Sequence, residues 1–366
     1  MKIMLYSLVA TVLLAVVGVS LFLQHPKFGR LPNGEHLAAI QASPNYVDGE
    51  FRNQLDTPLF TEQQSMAFVL IENRRTTSDR VRPDAALPVE DPGFDTLDSQ
   101  QDMVIWLGHS SYYVQLAGQR LLIDPVFSEA ASPVSFINKA FVGTTVFSAA
   151  EMPPIDHLLI THDHWDHLDY SSVLSLKPKV GQVACGLGVG SYFRQWGYEP
   201  AKVVEGDWYD SVELSNEVTL HFIPARHYSG RALKRNQTLW VGIVLETPKR
   251  RLLFSGDSGY GPHFADIARR FGDFDLVVLD QGQYDQRWAY IHMTPEDAAK
   301  AAEELGAKAL MPAHVGRFAL ARHAWDEPFQ RMAAASAGRG YRLLTPLPGE
   351  AVHLSELDTR LFRNWW

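Results

Sequence analysis

Cysteine is almost absent from this sequence: Cys185 is the single example among 366 residues. That excludes an internal disulfide and a zinc cluster built on thiolates, so any metal must be held by histidine and carboxylate. Cys185 sits among small and apolar residues and reads as a buried, inert thiol. Positive charge is also in deficit. Lysine and arginine total 33 against 42 aspartates and glutamates, a formal net charge of -9. This balance argues against a nucleic-acid partner, which needs a basic face. There is no long tandem repeat, and no low-complexity tract apart from one apolar run at the start. What remains is an ordinary globular composition, 46% hydrophobic, long enough for one large domain or two small ones.

The chain is organised around Ile155 to Tyr170. Ile155 to Ile160 is a short apolar run of strand-forming residues. The loop behind it carries His162, His164, Asp166 and His167. Imidazole nitrogen and carboxylate oxygen are donors that zinc and similar ions accept. His162 and His164 are two apart, so on extended backbone they point the same way and can grip one ion. Asp166 and His167, around the next bend, can grip a second. A lone histidine is usually an ordinary surface or core residue. A His-x-His-x-Asp-His pattern directly after an apolar strand has the context a metal motif requires. His157, inside the strand, and Asp169, beyond the cluster, read as structural.

Ile3 to Leu23 is an apolar run without charge, preceded by Lys2. At roughly 20 residues it can span a bilayer as a helix. A cleaved signal peptide is the rival, with Gly18-Val19-Ser20 as a weak processing site, but Leu21 to Leu23 extend the run past it. No cysteine follows, which excludes a lipoprotein. The expectation is an uncleaved anchor over residues 1–24. Lys2 before the span is nearly balanced by Lys27 and Arg30 after it, so charge does not fix orientation. A bacterial signal-anchor in the inner membrane places the body in the periplasm. Residues 25–100, proline-rich and aperiodic, read as a tether and peripheral lead-in. Their basic stretch, Arg74, Arg75, Arg80 and Arg82, reads as a solvated loop, with anionic lipid as the alternative contact. Residues 101–350 form the main domain. Residues 351–366 read as a tail whose Trp365 and Trp366 pack on the body or touch the bilayer interface.

Within the main domain, further strand ends deliver chemistry-bearing residues. Met103 to Leu107 precedes His109, which faces the site or sits in the core. Tyr112 to Leu116 and Arg120 to Ile123 form a hairpin around Ala117-Gly118-Gln119. Asp124 follows, either supporting a metal-binding histidine from behind or forming an ordinary Asp-Pro turn. Residues 126–152 are apolar and loop-like, suited to a lid, a substrate wall or plain packing. Val218 to Ile223 leads to His227, and Lys308 to Met311 leads to His314. Arg251 to Phe254 leads to Asp257, among small residues that let the backbone approach a metal. Thr294 and Pro295, followed by acids, open a helix that Gly306 ends. The polar and aromatic segment before it offers Arg287 to a substrate phosphate, with Trp288, Tyr290 and His292 beside it. A surface arginine is the plainer account. Alternating strands and helices favour an α/β layered fold with its site at one edge of the sheets.

Thr161-His162-Asp163-His164-Trp165-Asp166-His167-Leu168-Asp169-Tyr170 resembles the signature of the metallo-β-lactamase superfamily. Within it, Trp106-Leu107-Gly108-His109, Asp124-Pro125-Val126-Phe127-Ser128, Ser255-Gly256-Asp257-Ser258-Gly259-Tyr260 and His314-Val315-Gly316-Arg317-Phe318 resemble the N-acylphosphatidylethanolamine-hydrolysing phospholipase D branch. The resemblance implies an αββα sandwich with two zinc ions between the sheets. His162, His164 and His227 would hold one, Asp166, His167 and His314 the other, with Asp257 bridging. The implied chemistry is hydrolysis of a lipid phosphodiester by a water that the paired ions acidify, oriented by Asp166. Ala225-Arg226-His227-Tyr228 departs from the branch's Ser-Gln-His-Trp type segment and puts a cation beside the site. A lactonase or other small-molecule hydrolase on the same fold is the first rival. A membrane-anchored binding protein with structural metals is the rival of another class. Oligomeric state is not readable from the sequence.

Overall fold

In the computed structural model, which describes residues 2–61, 77–215 and 217–366, the chain begins with helix α1 (Lys2–Leu23). Its apolar part is wholly unburied by the rest of the protein. A lead-in follows, with helix α2 (Gly34–Gln41) and a small hairpin, β1 (Tyr46–Val47) and β2 (Glu50–Phe51). Arg74 and Arg75 lie outside the described residues.

The first large sheet contains β3 (Met103–Trp106), β4 (Tyr112–Leu116), β5 (Gln119–Ile123), β6 (Ile155–Ile160), β7 (Val180–Gly186) and β8 (Val203–Gly206). The first three form an antiparallel meander. Ala117 and Gly118 both adopt positive φ between β4 and β5, as a two-residue hairpin turn with the strands' own twist demands. From β5 onward the strands are parallel. Helices α3 (Tyr170–Leu176) and α4 (Gly190–Gln195) make the crossovers. The second sheet repeats the scheme. β9 (Ser211–Glu213), β10 (Thr219–Ile223), β11 (Gly242–Glu246) and β12 (Arg251–Phe254) are antiparallel neighbours. β13 (Phe274–Asp280), β14 (Ala307–Ala313) and β15 (Arg342–Leu343) continue in parallel with β12. Helices α5 (His263–Phe271), α6 (Pro295–Glu304) and α7 (Glu327–Ser336) belong to this half. At the start of α6, Thr294 and Asp297 cap each other's backbone reciprocally.

Most of these strands are apolar on both faces because both faces are covered. Val114, Leu121 and Leu159 of the first sheet meet Phe222, Ile243, Leu252 and Val278 of the second. On one outer face, Leu122, Leu158 and Ile160 lie under Val173, Leu176 and Phe193 of α3 and α4. On the other, Val244, Leu253 and Val277 lie under Phe264, Ile267, Ala298 and Met332 of α5, α6 and α7. The architecture is the expected αββα sandwich.

Strand direction decides where the site forms. β3, β5 and β6 run the same way in the first sheet, and β10, β12, β13 and β14 do so in the second. The residues just past their C-terminal ends include His109, Asp124, the His162–His167 loop, His227, Asp257 and His314.

Two peripheral segments differ from the sequence reading. The lead-in is no loose tether in its first part. Phe28, Ile40 and Phe51 are buried, and the last two join the core between the sheets. Ser43 and Asn45 donate hydrogen bonds to Asp207 at 2.6 and 2.7 Å. This strap lacks periodicity because its side chains insert singly into a surface that already exists. At the other end, residues 351–353 form β16 (Ala351–His353), the edge strand beside β3. Trp365 then packs on Phe329 at 4.9 Å and Trp106 at 6.2 Å between ring centroids. Its indole N–H donates to Thr345 O at 3.2 Å. The terminal tryptophans therefore face the body. Trp365→Ala is expected to cost about 2 kcal/mol of stability, below the full range for a core aromatic because the ring is half-buried. A urea midpoint unchanged from the parent protein would contradict this packing role.

Candidate metal centre

Ten side chains with ligand chemistry meet at the shared sheet edge, in two main groups and a third, Asp257, Asp280, His292 and His314, that overlaps them. His162, His164, His227 and Asp257 bring their ligand atoms within 4.8 Å of one another, and so do His109, Asp166, His167 and His314. Asp257 also joins the groups. Its carboxylate lies 3.7 Å from the Nε2 atoms of both His162 and His227, 3.1 Å from His167 Nε2 and 3.3 Å from His314 Nε2. The strand ends explain the convergence, and local backbone completes it. His109, Asp124 and His314 all hold positive φ, a costly conformation for residues with a Cβ that recurs at functional sites. Gly256, at φ 58°, lets the Asp257 loop come against Thr161, where an added Cβ would stand 3.0 Å from the threonine Cβ.

The imidazoles are oriented from behind. His227 Nδ1 donates to Ile291 O at 3.0 Å, which turns Nε2 inward. His167 Nδ1 lies 2.8 Å from Asp124 Oδ2. Asp124 also accepts from Thr161 N at 2.8 Å and Thr161 Oγ1 at 2.5 Å. Asp163, between the first two histidines, accepts from Gly230 N at 2.7 Å, Tyr192 Oη at 3.0 Å and Thr238 Oγ1 at 3.1 Å, and so holds the loop's backbone. Arg231 donates from Nη1 to Asp163 O and Leu168 O.

These groups fit a cation. His164 Nδ1 faces His162 Nε2 at 3.0 Å and His227 Nε2 at 3.2 Å. Three ring nitrogens that close cannot all be satisfied by one shared proton. His167 Nε2 and Asp257 Oδ1 face each other at 3.1 Å, buried and without hydrogen-bond geometry, and His164 Nε2 is buried without a hydrogen-bond partner. Burial pushes His162 and His227 well below the usual imidazole range and lowers His164, which leaves neutral nitrogens to donate. Burial acts likewise on His167 and His314, but the surrounding carboxylates, Asp257 foremost, together outweigh it, raising His167 well above that range and His314 to about 10. Asp166 and Asp257 stay well below the usual carboxylate range despite burial, chiefly through His167.

A cavity of about 480 Å³ opens above the centre. His164, Asp166, Asp257, His292 and His314 contribute to its floor, and Leu59, Phe60, Trp165, Trp288, Ile291 and Leu320 to its walls. Of the residues proposed for substrate, Trp288 and His292 line this cavity and Arg287 and Tyr290 do not. Arg287 is ion-paired with its near neighbour Asp285 and lines an adjoining cleft. Tyr290 lies under the Arg226 guanidinium at 4.6 Å. Arg226 itself adds no cation to the cavity, because it is spent on Thr57 Oγ1, Asp56 O and Tyr260 O. Asp280 was not anticipated. It ends β13, accepts from His292 Nδ1 at 2.8 Å and approaches His314 Nδ1 at 3.3 Å. Its signal was present: an acid closing an apolar strand, followed two residues later by Gly282, where a Cβ would clash with His314 O.

An αββα sandwich with histidines and aspartates gathered at one sheet edge is the frame of a metal-dependent hydrolase. Residues 119–315 match the family model described as beta-lactamase superfamily domain, and the chain belongs to that superfamily. An uncharacterized protein of Mycobacterium tuberculosis is 36% identical over 336 residues, covering 90% of this chain and 89% of its own length. The N-acyl-phosphatidylethanolamine-hydrolyzing phospholipase D 1 of Caenorhabditis elegans is 29% identical over 255 residues, 66% of this chain and 71% of that protein. Among solved structures, an isothiocyanate hydrolase from Delia radicum gut bacteria shares the fold, with a TM-score of 0.54 at 18% identity over 69% of this chain and 98% of its own.

The support behind His167 gives a direct test. Asp124→Asn keeps the shape but removes the carboxylate that orients the imidazole. Metal affinity, measured by chelator competition, is expected to fall about 10–100-fold. Unchanged affinity would mean that His167 needs no orienting group.

Proposed function

We propose that this protein is a membrane-anchored zinc phosphodiesterase of phospholipase D type, acting on N-acylphosphatidylethanolamine-like lipids. The observation that carries the reading is the set of His and Asp donors beneath a cavity walled in part by Leu59, Phe60, Trp165, Trp288, Ile291 and Leu320. The likeness to a lipid-hydrolysing relative over 66% of the chain supports the substrate class, and the length and apolar character of α1 support the anchor. A donor set of imidazole and carboxylate without thiolate suits zinc in a catalytic rather than a closed structural site.

His162, His164 and His227 would hold one ion, Asp166, His167 and His314 a second, with Asp257 between them. Bound ions supply Lewis-acid charge at the phosphoryl oxygen and lower the pKa of a water nucleophile. The remaining work falls to the chain. Asp166, fixed by His109 Nε2 at 2.9 Å and His314 Nε2 at 3.0 Å, is placed to accept a proton from the attacking water. Trp288, Phe60 and Leu320 exclude bulk water and offer apolar surface to acyl chains. His292, held at Nδ1 by Asp280, has its other nitrogen for the leaving oxygen. Water adds to phosphorus and gives a proton to Asp166, the bond from phosphorus to the ethanolamine oxygen breaks, and His292 Nε2 takes that proton from Asp166 and donates it to the departing oxygen.

The first experiment measures metal content and hydrolysis of N-acylphosphatidylethanolamine in mixed micelles on one sample. About two zinc ions per chain with phosphatidic acid released is the expected result. Metal without lipid turnover, but with hydrolysis of lactones or soluble diesters, would favour the small-molecule reading. Asp257→Asn is expected to abolish turnover while the protein stays folded. Unfolding on that substitution, in a chain with no detectable turnover, would favour structural metals instead.

His292→Ala is expected to lower kcat about 10²–10⁴-fold on the ethanolamine ester. It should change little on a nitrophenyl diester, whose leaving group needs no proton. Equal losses on both substrates would remove His292 from the proton-donor role.

A further inference from the structure

The cavity mouth carries an exposed rim that the chemistry above does not use. Phe136 is 76% exposed, Ile137 45% and Leu233 84%, whereas most large apolar residues described outside α1 are buried or half-buried. Phe136 and Ile137 stand on the irregular loop after β5, next to the cavity-lining Asn138. Leu233 stands on the loop after β10, between the lining residues Ala232 and Arg235. Three exposed cations, Lys139, Lys234 and Arg235, flank these apolar side chains, although the whole chain carries a net charge of -9.

The route of the lead-in says what covers this rim. Only Gln24 and His25 separate the end of α1 from Pro26, and the chain is fixed from there on. Pro26 O accepts from Trp196 Nε1 at 2.8 Å, and Lys27 O from Arg231 Nε at 2.6 Å. Lys27 Nζ donates to Pro133 O at 2.6 Å, and Phe28 packs on Trp165 at 5.3 Å between ring centroids. Pro133 and Arg231 belong to the two rim loops, and Trp165 lines the cavity. Three residues of chain reach about 10 Å at most. With α1 in a bilayer, the cavity mouth is therefore held at the membrane surface.

We infer that the rim formed by Phe136, Ile137 and Leu233 with Lys139, Lys234 and Arg235 is a docking surface for an anionic lipid bilayer, and that it holds the cavity mouth against the leaflet from which α1 emerges. Apolar tips flanked by lysine and arginine are the pattern that enters a headgroup region. The inference rests on α1 being a retained anchor, as proposed above.

Because Cys185 is buried, a cysteine introduced on the surface can be labelled alone. Full-length Phe136→Cys, Leu233→Cys and Lys249→Cys proteins would be labelled with an environment-sensitive dye. They would then be reconstituted into vesicles of phosphatidylcholine and phosphatidylglycerol. Lys249 is exposed and lies in the turn between β11 and β12, at the opposite edge of the sandwich. Labels at 136 and 233 are expected to shift to the blue, to be quenched by nitroxide lipids and to lose iodide quenching, while the label at 249 stays iodide-accessible. Labels at 136 and 233 as accessible to iodide as that at 249 would overturn the inference. So would protection that appears without lipid and grows with protein concentration, which would mark contact with a second copy. Lipid hydrolysis followed on the same vesicles separates the two ideas. Lipid-quenched labels without turnover uphold docking and count against the lipid substrate, and accessible labels with turnover overturn docking alone.

Discussion

Asp166 and Asp257 are carried into the interior between the sheets, 8% and 3% exposed, and must be compensated there. A buried carboxylate left without a partner costs several kcal/mol. The imidazoles around them are consequently a requirement of the fold as well as a device for chemistry. Those imidazoles need orientation in turn, and Asp124 and Asp280 supply it from a deeper layer. The carboxylates in turn hold the His167 and His314 imidazoles above their usual range. At His162, His164 and His227 burial outweighs the same carboxylates, and the neutral nitrogens left are suited to a cation.

The sheets make such a concentration possible because they are two versions of one plan. Each starts as an antiparallel meander and ends as parallel strands with helices outside. Every second step through a meander restores the strand direction, so alternate meander strands and the parallel strands deliver their C-terminal ends to one edge. Face-to-face packing of the two sheets then sets those edges opposite each other. Small residues close the remaining distance: an added Cβ at Gly259 would stand 1.9 Å from Tyr290 O, beside the segment that brings in His292.

Much of this was legible in the sequence because the main signals are local. A strand followed at once by His-x-His-x-Asp-His is a short-range pattern, and the strand cores of β4, β6, β12 and β13 are compact apolar runs. His109 was harder, since a single histidine after Trp106-Leu107-Gly108 fits a core position equally well. Only the return of β14 places His314 Nε2 and His109 Nε2 on the same oxygen of Asp166. Arg287 and Tyr290 misled for the opposite reason. Their neighbourhood in sequence with Trp288 and His292 suggested one surface, yet Arg287 lines the adjoining cleft and Tyr290 lies under Arg226, while Trp288 and His292 line the cavity. The strap at 26–61 carried no periodic signal at all, because a segment that docks on a finished surface needs only isolated anchors such as Ile40 and Phe51.

Arg231 connects the histidine loop to the start of the lead-in. It is 3% exposed, and burial pushes its guanidinium down to about 10. Its Nη1 holds the carbonyls of Asp163 and Leu168 on either side of the histidine loop, its Nε holds Lys27 O, and its plane stacks on Trp165 at 3.9 Å. One side chain thus ties the backbone of the metal-binding loop to the first residues after α1. A long flexible linker would have let the cavity face any direction relative to a membrane. With the loop, the rim and the exit from α1 fastened to the same arginine, the direction in which α1 leaves the protein and the direction in which the cavity opens are fixed together.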